Sequence, residues 1–305
     1  MPEPQPIPII CGPTATGKTS IAVELAASFP LEIVSADSRQ IIRRLDIGTA
    51  KPDCDERRRI VFHLIDLIEP GERYSAFHFM EDARQAIEEI LSRGRIPVVV
   101  GGTGFYLRAL TEGISEIEQD DMAVRQRLED DMQQHGQTAL YERLVQIDPV
   151  EAARLHPNNR VRVIRALEVY YLTGRTRTEL AAKNSGHKNR FDYRYFCLMP
   201  DRQQLYHDIE TRVDRMMSAG LLQEITALVD EGMHDQLERA AVIGYSELLD
   251  HIDGHTSLEE AVSRIKQNTR RYAKRQMTWF RNQIEGSFCS DRDSLSRNVA
   301  AALSQ

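Results

Sequence analysis

The chain has 305 residues, 41% of them hydrophobic and 28% charged, with a formal net charge of -7. That is the composition of a soluble globular protein, long enough for one large domain or two smaller ones. The longest apolar runs, such as Ile96–Val100, are far too short to span a bilayer, and the N-terminus has neither the basic region nor the apolar stretch of a secretory signal. Cys11, Cys54, Cys197 and Cys289 are scattered without metal-ligand spacing, so no disulfide framework is expected and the cytoplasm is the expected compartment.

In chain order, the apolar run Ile7–Cys11 reads as a buried strand. The segment Gly12, Pro13, Thr14, Ala15, Thr16, Gly17, Lys18, Thr19 follows and fits G-x-x-x-x-G-K-[ST]. Ser20–Ala27 then offers helix formers, with apolar residues at Ile21, Leu25 and Ala26. In a strand, glycine loop and helix arranged this way, backbone N–H groups and a helix N-terminus converge on an anion. The loop is therefore expected to bind a di- or triphosphate, with Lys18 on the terminal phosphate oxygens and the Thr19 hydroxyl on Mg²⁺.

Further strands are predicted at Leu31–Ala36, Phe62–Ile68 and Ile96–Gly101, with a helix over Ser75–Arg93. The alternation predicts an α/β core of the P-loop NTPase-like kind, a parallel sheet covered by helices, with ligands at the carboxyl ends of its strands. Asp37, in SADSRQ, follows the second strand and can be a general base, a Mg²⁺ ligand or only a helix cap. In the loop DIGTAKP, Gly48, Thr49 and Lys51 are candidates for lying near a phosphate. The last of these strands runs into GGTGFY, Gly101–Tyr106, and offers glycines and the Thr103 hydroxyl where a kinase would place a Mg²⁺-positioning carboxylate. Asp66 is the other strand carboxylate available for that role. This weakens a phosphoryl-transfer reading.

From Asp120 to about Ala182 the pattern is helical, with segments at Met122–His135, Gln137–Gln146, Val150–Leu155 and Val161–Leu172, and NSGHKN (Asn184–Asn189) reads as a linker. The expected organisation is a first core part, 1–119, an all-helical insertion, 120–189, and a mostly helical remainder of the core, 190–305. Tyr193–Met199 returns to a strand pattern, and Ser290–Gln305 is expected to be a short surface helix without evident chemistry. Between Ala261 and Ile284 there is no acidic residue, yet Arg264, Lys266, Arg270, Arg271, Lys274, Arg275 and Arg281 all occur. Such a run is either a phosphate-backbone footprint or an ordinary solvated helix face.

The order GPTATGKT, SADSRQ, DIGTAKP, GGTGFYLRAL, HPNN with RVIRALEV, IGYSEL and KRQMTWFR, from about Ile9 to Arg281, resembles the tRNA dimethylallyltransferase family. The P-loop alone is common to many families, but the combination is specific. The resemblance implies transfer of a dimethylallyl group from dimethylallyl diphosphate to the N6 amine of the adenosine just 3′ of the anticodon in tRNA. It makes Gly12–Thr19 the diphosphate cradle, Lys18 a catalytic cation, Asp37 the base and Thr103 an acceptor contact, with Mg²⁺ as cofactor. It implies tRNA contacts at Asp37, Ser38, Arg39, Gln40, Thr103, Arg125, Val161, Arg162, Val163, Ile164 and Arg165, and it gives Arg270, Arg271, Lys274 and Arg275 a purpose as phosphate contacts. The helical insertion becomes the tRNA-gripping part, and a monomer without membrane attachment is expected. The chain departs from the family pattern at Ile42 and Arg44, where Tyr and Gly are usual, and at Ala241, where some members carry an arginine that Arg239 could replace.

Overall fold

The computed structural model describes residues 6–114, 122–184 and 191–304. Every residue of β1 (Ile7–Cys11) is buried, as an uninterrupted apolar run demands in a sheet covered on both faces. It leads through the glycine loop into α1 (Lys18–Leu25). Next come β2 (Leu31–Ser35), α2 (Cys54–Arg59), β3 (Phe62–His63), α3 (Ala76–Ser92), β4 (Ile96–Gly101) and α4 (Gly104–Glu112). Ser75 caps α3 by accepting the His78 N–H. The helical stretch comprises α5 (Met122–Ile147), α6 (Pro149–Arg154), α7 (Arg160–Thr173) and α8 (Arg177–Asn184). It is followed by β5 (Tyr193–Leu198), α9 (Arg202–Ser218), α10 (Leu221–Asp230), α11 (His234–Ala240), α12 (Tyr245–Ile252), α13 (Leu258–Gln283), β6 (Ser287–Cys289) and α14 (Arg292–Leu303).

The described strands form a parallel α/β sheet in the order β3-β2-β4-β1-β5-β6. In register, Cys11 of β1 lies beside Gly101 of β4 and beside Cys197 of β5, so the glycine loop and the GGTG turn leave neighbouring strands at the same edge. By internal contacts the chain divides into Met1–Thr111 with Arg190–Gln305, and Glu112–Asn189. The described residues of the second unit are helical around a core of their own, with Leu128, Leu140, Leu144, Val163, Ile164 and Leu167. Gly136, at φ 82 and ψ 164, breaks α5 into two arms where the sequence pattern changes. The linker expected at Asn184–Asn189 lies, from Ser185 on, outside the described residues, as does the transition near Ile117.

Two expectations are corrected, and one strand is added. β3 stops at His63 instead of Ile68, because Leu64 and Asp66 take left-handed backbone, φ 60 and 57, which no strand can continue. Ile68 regains one parallel bridge, to Ile42. A sixth strand, β6, is too short for periodicity to reveal. The C-terminal helix is no mere surface element: Leu295, Val299 and Leu303 join the core cluster of Ile21, Leu31 and Val98.

The loop Asp46–Pro52 serves the fold. The Lys51 side chain is 1% exposed and pairs with Asp46 at 2.7 Å and Asp66 at 2.5 Å. Gly48 donates its N–H to the Tyr245 hydroxyl, and the Thr49 hydroxyl donates to the Leu45 carbonyl. None of Gly48, Thr49 or Lys51 is left for a phosphate. A Cβ on Gly48 would lie 2.4 Å from Cε2 of Tyr245, a fully buried ring with no room to retreat. Gly48→Ala should therefore cost about 1–3 kcal/mol of stability in denaturant titration. Unchanged stability would mean that the ring does not close this loop.

Candidate active site

Three strand ends build the site. After β1, the loop turns through left-handed backbone at Ala15 and Gly17, with φ 66 and 78, so that successive N–H groups form a concave nest. Gly12 lies so near β5 that a Cβ would sit 2.3 Å from the Leu198 carbonyl oxygen. The Lys18 ammonium donates to the Pro13 carbonyl at 2.6 Å, and the Thr16 hydroxyl donates to the same oxygen at 3.0 Å. Thr19 follows at the start of α1, half-buried, and its hydroxyl bonds no protein group among the described residues. It is the oxygen that a Mg²⁺ ion bound chiefly by phosphates and water would need.

Asp37 stands just past β2, and its carboxylate accepts the Arg39 N–H at 2.9 Å in an Asx turn. No helix follows, which removes the reading of Asp37 as a helix cap. Thr103, just past β4, donates its N–H to the Ala36 carbonyl at 3.2 Å, and its hydroxyl oxygen accepts the Ser38 N–H at 2.9 Å. Gly101 makes this approach possible, since a Cβ there would meet the Ala36 oxygen at 2.1 Å. Asp37 and Thr103 are thus locked into one hydrogen-bonded turn.

Burial pushes the Lys18 ammonium down to about 8, with the Arg212 charge in the same direction and the Asp37 carboxylate opposing both. Arg212, half-buried on α9, is likewise shifted below its ordinary range by burial, against the pull of Asp37. Two cations therefore face one carboxylate. Tyr272 of α13 lies beside the Thr103 hydroxyl, and its phenol is pushed up to about 12, by burial first and by the Asp37 charge second. One turn later on the same helix, the buried Gln276 amide accepts the Thr14 N–H at 2.9 Å and donates to the Gly102 carbonyl at 2.8 Å. Beneath the loop, the paired thiols Cys11 and Cys197 are buried, and burial raises Cys11 well above its usual value.

Other predicted positions fall differently. Asp66 is captured by Lys51 and by Arg57, the latter at 3.2 Å, so it is no Walker-B carboxylate. Gln40 accepts the Ser35 hydroxyl and donates to the Ala50 carbonyl, and exposed Arg39 donates to the Ala240 carbonyl. Within the helical unit, Val163 and Ile164 are 1% and 3% exposed in its core, which removes their side chains as tRNA contacts. Val161 and Arg162 of the same stretch are exposed. Arg125 pairs with Glu129, and Arg165 with the buried Glu168. On α13, Arg264, Lys266 and Arg270 pair with Asp250, Asp214 and Glu210, while Arg271 reaches Asn268 and Arg275 sits 5.8 Å from the Tyr272 ring centroid. Lys274 and Arg275 are exposed, with no carboxylate partner among the described residues.

The family model described as IPP transferase matches residues 40–283, and that described as isopentenyl transferase matches residues 5–63. The chain is 47% identical to a tRNA dimethylallyltransferase of Geobacter metallireducens over 91% of its length and 90% of the relative's. It is 46% identical to tRNA dimethylallyltransferase 1 of Syntrophotalea carbinolica, over 90% and 88%. Among solved structures, the full-length tRNA isopentenylpyrophosphate transferase of Bacillus halodurans superposes with a TM-score of 0.69 at 38% identity, over 99% of this chain and 97% of that one. A eukaryotic dimethylallyltransferase acting on tRNA gives 0.76 at 31% identity, over 91% and 70%.

The chain belongs to the tRNA dimethylallyltransferase family. It is a prenyltransferase, with the P-loop fold of that family. Sequence reading missed Arg212, Tyr272 and Gln276. The available signal was a polar residue on an apolar helical face: Arg212 lies between the buried Ile209 and Val213, and Gln276 between Ala273 and Met277. The second cation beside Asp37 is Arg212, whereas Arg239 is exposed and lies against Gly71. Among the described residues no cluster of three or more His, Cys, Asp or Glu side chains could hold a metal, and no helix is long and apolar enough to cross a membrane.

With burial bringing Lys18 down to about 8, its charge is present below that pH and lost above it. A bound diphosphate favours the charged form, so binding takes up a proton above that pH. Inorganic pyrophosphate affinity should fall more steeply above pH 8 in the native protein than in Lys18→Met, by up to about tenfold per pH unit. Calorimetry in buffers of different ionisation enthalpy should report the proton uptake. Parallel pH profiles would exclude Lys18 from the anion site.

Proposed function

We propose that the chain transfers the dimethylallyl group of dimethylallyl diphosphate to the N6 amine of the adenosine 3′-adjacent to the anticodon in tRNA, releasing diphosphate. The observation that carries this reading is the meeting of the Gly12–Thr19 nest, with Lys18 in it and the Arg212 charge beside it, and the Asp37–Thr103 turn, at a strand edge with no Walker-B carboxylate among the described residues. The diphosphate sits in the Gly12–Thr19 loop. Thr19 would hold Mg²⁺, which would neutralise charge on the leaving group. Lys18 and Arg212 add fixed positive charge where the diphosphate gains negative charge as the allylic C–O bond breaks. The N6 lone pair forms the new C–N bond, and Asp37 accepts the proton that the nitrogen must lose. Thr103 hydrogen-bonds the adenine, which must leave its stack to arrive there.

The tRNA is met electrostatically. Lys274 and Arg275 on α13 are exposed cations available to its phosphates, and so, within the helical unit taken by itself, are Arg160 and Arg162. Buried free thiols suit the cytoplasm, and the reading needs one chain only.

Incubation with dimethylallyl diphosphate and bulk tRNA, followed by nucleoside mass spectrometry, should show N6-dimethylallyladenosine. Phosphorylated product from ATP in its place would sink the reading. Asp37→Asn should lower kcat by about 10²–10⁴-fold while pyrophosphate and tRNA still bind, and full activity in the folded variant would remove Asp37 from the chemistry.

Binding of tRNA should weaken with salt at a log–log slope of about -0.7 to -0.9 per phosphate neutralised. Replacing Lys274 and Arg275 together with Ala should flatten that slope by about 1.5 and raise the tRNA KM, leaving the donor KM unchanged. An unchanged slope would make them an ordinary solvated face.

A further inference from the structure

Helix α13 has two unlike faces. Arg271, Lys274, Arg275 and Arg281 are exposed on one side, while Ala273, Gln276, Met277 and Phe280 are buried on the other. Gln276, 7% exposed, is the exception on that buried side. An amide there costs free energy unless both its ends are bonded. Both are: Oε1 accepts the Thr14 N–H at 2.9 Å, and Nε2 donates to the Gly102 carbonyl at 2.8 Å. The orientation is unambiguous, because a backbone N–H can only donate and a carbonyl can only accept. The fit is close as well. A Cβ on Gly102 would lie 2.6 Å from Nε2.

We propose that Gln276 is a positioning residue that fixes the donor loop against the acceptor turn. The sheet aligns these two segments only as far as Cys11 and Gly101, after which each leaves the ladder. Thr14 belongs to the loop that cradles the diphosphate, and Gly102 immediately precedes Thr103. The gap between them sets how far the allylic carbon lies from the attacking nitrogen, and the clip spans that gap. It also commits the Thr14 N–H to a protein acceptor, so the anion is bound by loop groups further on. Tyr272, one turn earlier beside Thr103, supports the same turn from the same helix. A displacement of about 1 Å between reacting groups costs on the order of 10²-fold in rate.

This rests on the prenyl-transfer reading of the site, so the test separates the two. Gln276→Met keeps the length and volume but makes neither bond, and Gly102→Ala breaks the clip from the other side. In the full chain, both should lower kcat about 10²-fold and weaken inorganic pyrophosphate binding about tenfold by calorimetry, while the tRNA KM stays within about twofold. A native kcat in either folded variant, with only the melting temperature lowered, would overturn the proposal and leave Gln276 a structural residue. If the native chain makes no prenylated tRNA, the functional reading fails and pyrophosphate decides the clip alone: weaker binding in both variants supports it, and unchanged binding overturns it.

Discussion

The site is organised by an imbalance of charge. Lys18 and Arg212, both shifted by burial, face a single carboxylate, Asp37. Removing cations from water is costly, and an anion bound beside them would relieve that cost. The surrounding architecture keeps the arrangement from relaxing. Gly12 and Gly101 let the loop and the turn press against neighbouring backbone, and the Pro13 carbonyl holds Lys18 inward. A stability cost of this kind is what preorganised electrostatics requires, since charges free to reorient toward solvent would stabilise a leaving group far less.

Carboxyl-edge geometry also explains what was legible in the sequence. Gly12–Thr19, Asp37 and Thr103 follow predictable strands, so the periodicity that locates β1, β2 and β4 locates them too. Arg212, Tyr272 and Gln276 come from helices α9 and α13, distant in sequence, and only tertiary packing brings them to the loop. FHLIDLI is apolar enough to read as a strand throughout, and nothing in its pattern signals left-handed backbone at Leu64 and Asp66. Val163 and Ile164 lie inside a motif that the resemblance ties to tRNA, although apolar neighbours on a helix with exposed arginines read as core.

Counting basic residues overstates an electrostatic footprint. Of the run on α13, Arg264, Lys266 and Arg270 already have carboxylate partners on α12 and α9, and Arg270 also lies over the Tyr206 ring. Such exposed pairs add little stability, about 0–1 kcal/mol each, but they reduce the charge offered to a phosphate. Lys274 and Arg275 keep theirs, on the side of the helix away from Gln276.

The departures at Ile42, Arg44 and Ala241 lie outside the residues that bond Lys18, Asp37 and Thr103. Ile42 is buried among Ile41, Leu45, Leu221, Tyr245 and Leu248, where its contribution is packing. Arg44 and Ala241 both adopt left-handed backbone, with φ 67 and 47. A side chain in that region costs roughly 1–2 kcal/mol relative to glycine. Arg44 recovers part of this by pairing with Glu231 at 2.6 Å, and Ala241 closes α11 with its N–H on the Leu237 and Glu238 carbonyls. Lys18, Asp37 and Thr103 draw their hydrogen bonds from the loop and strand ends, and Gln276 supplies the brace from α13. The altered positions therefore act on the packing and backbone strain of their own segments, while the hydrogen bonds of Lys18, Asp37, Thr103 and Gln276 are made elsewhere.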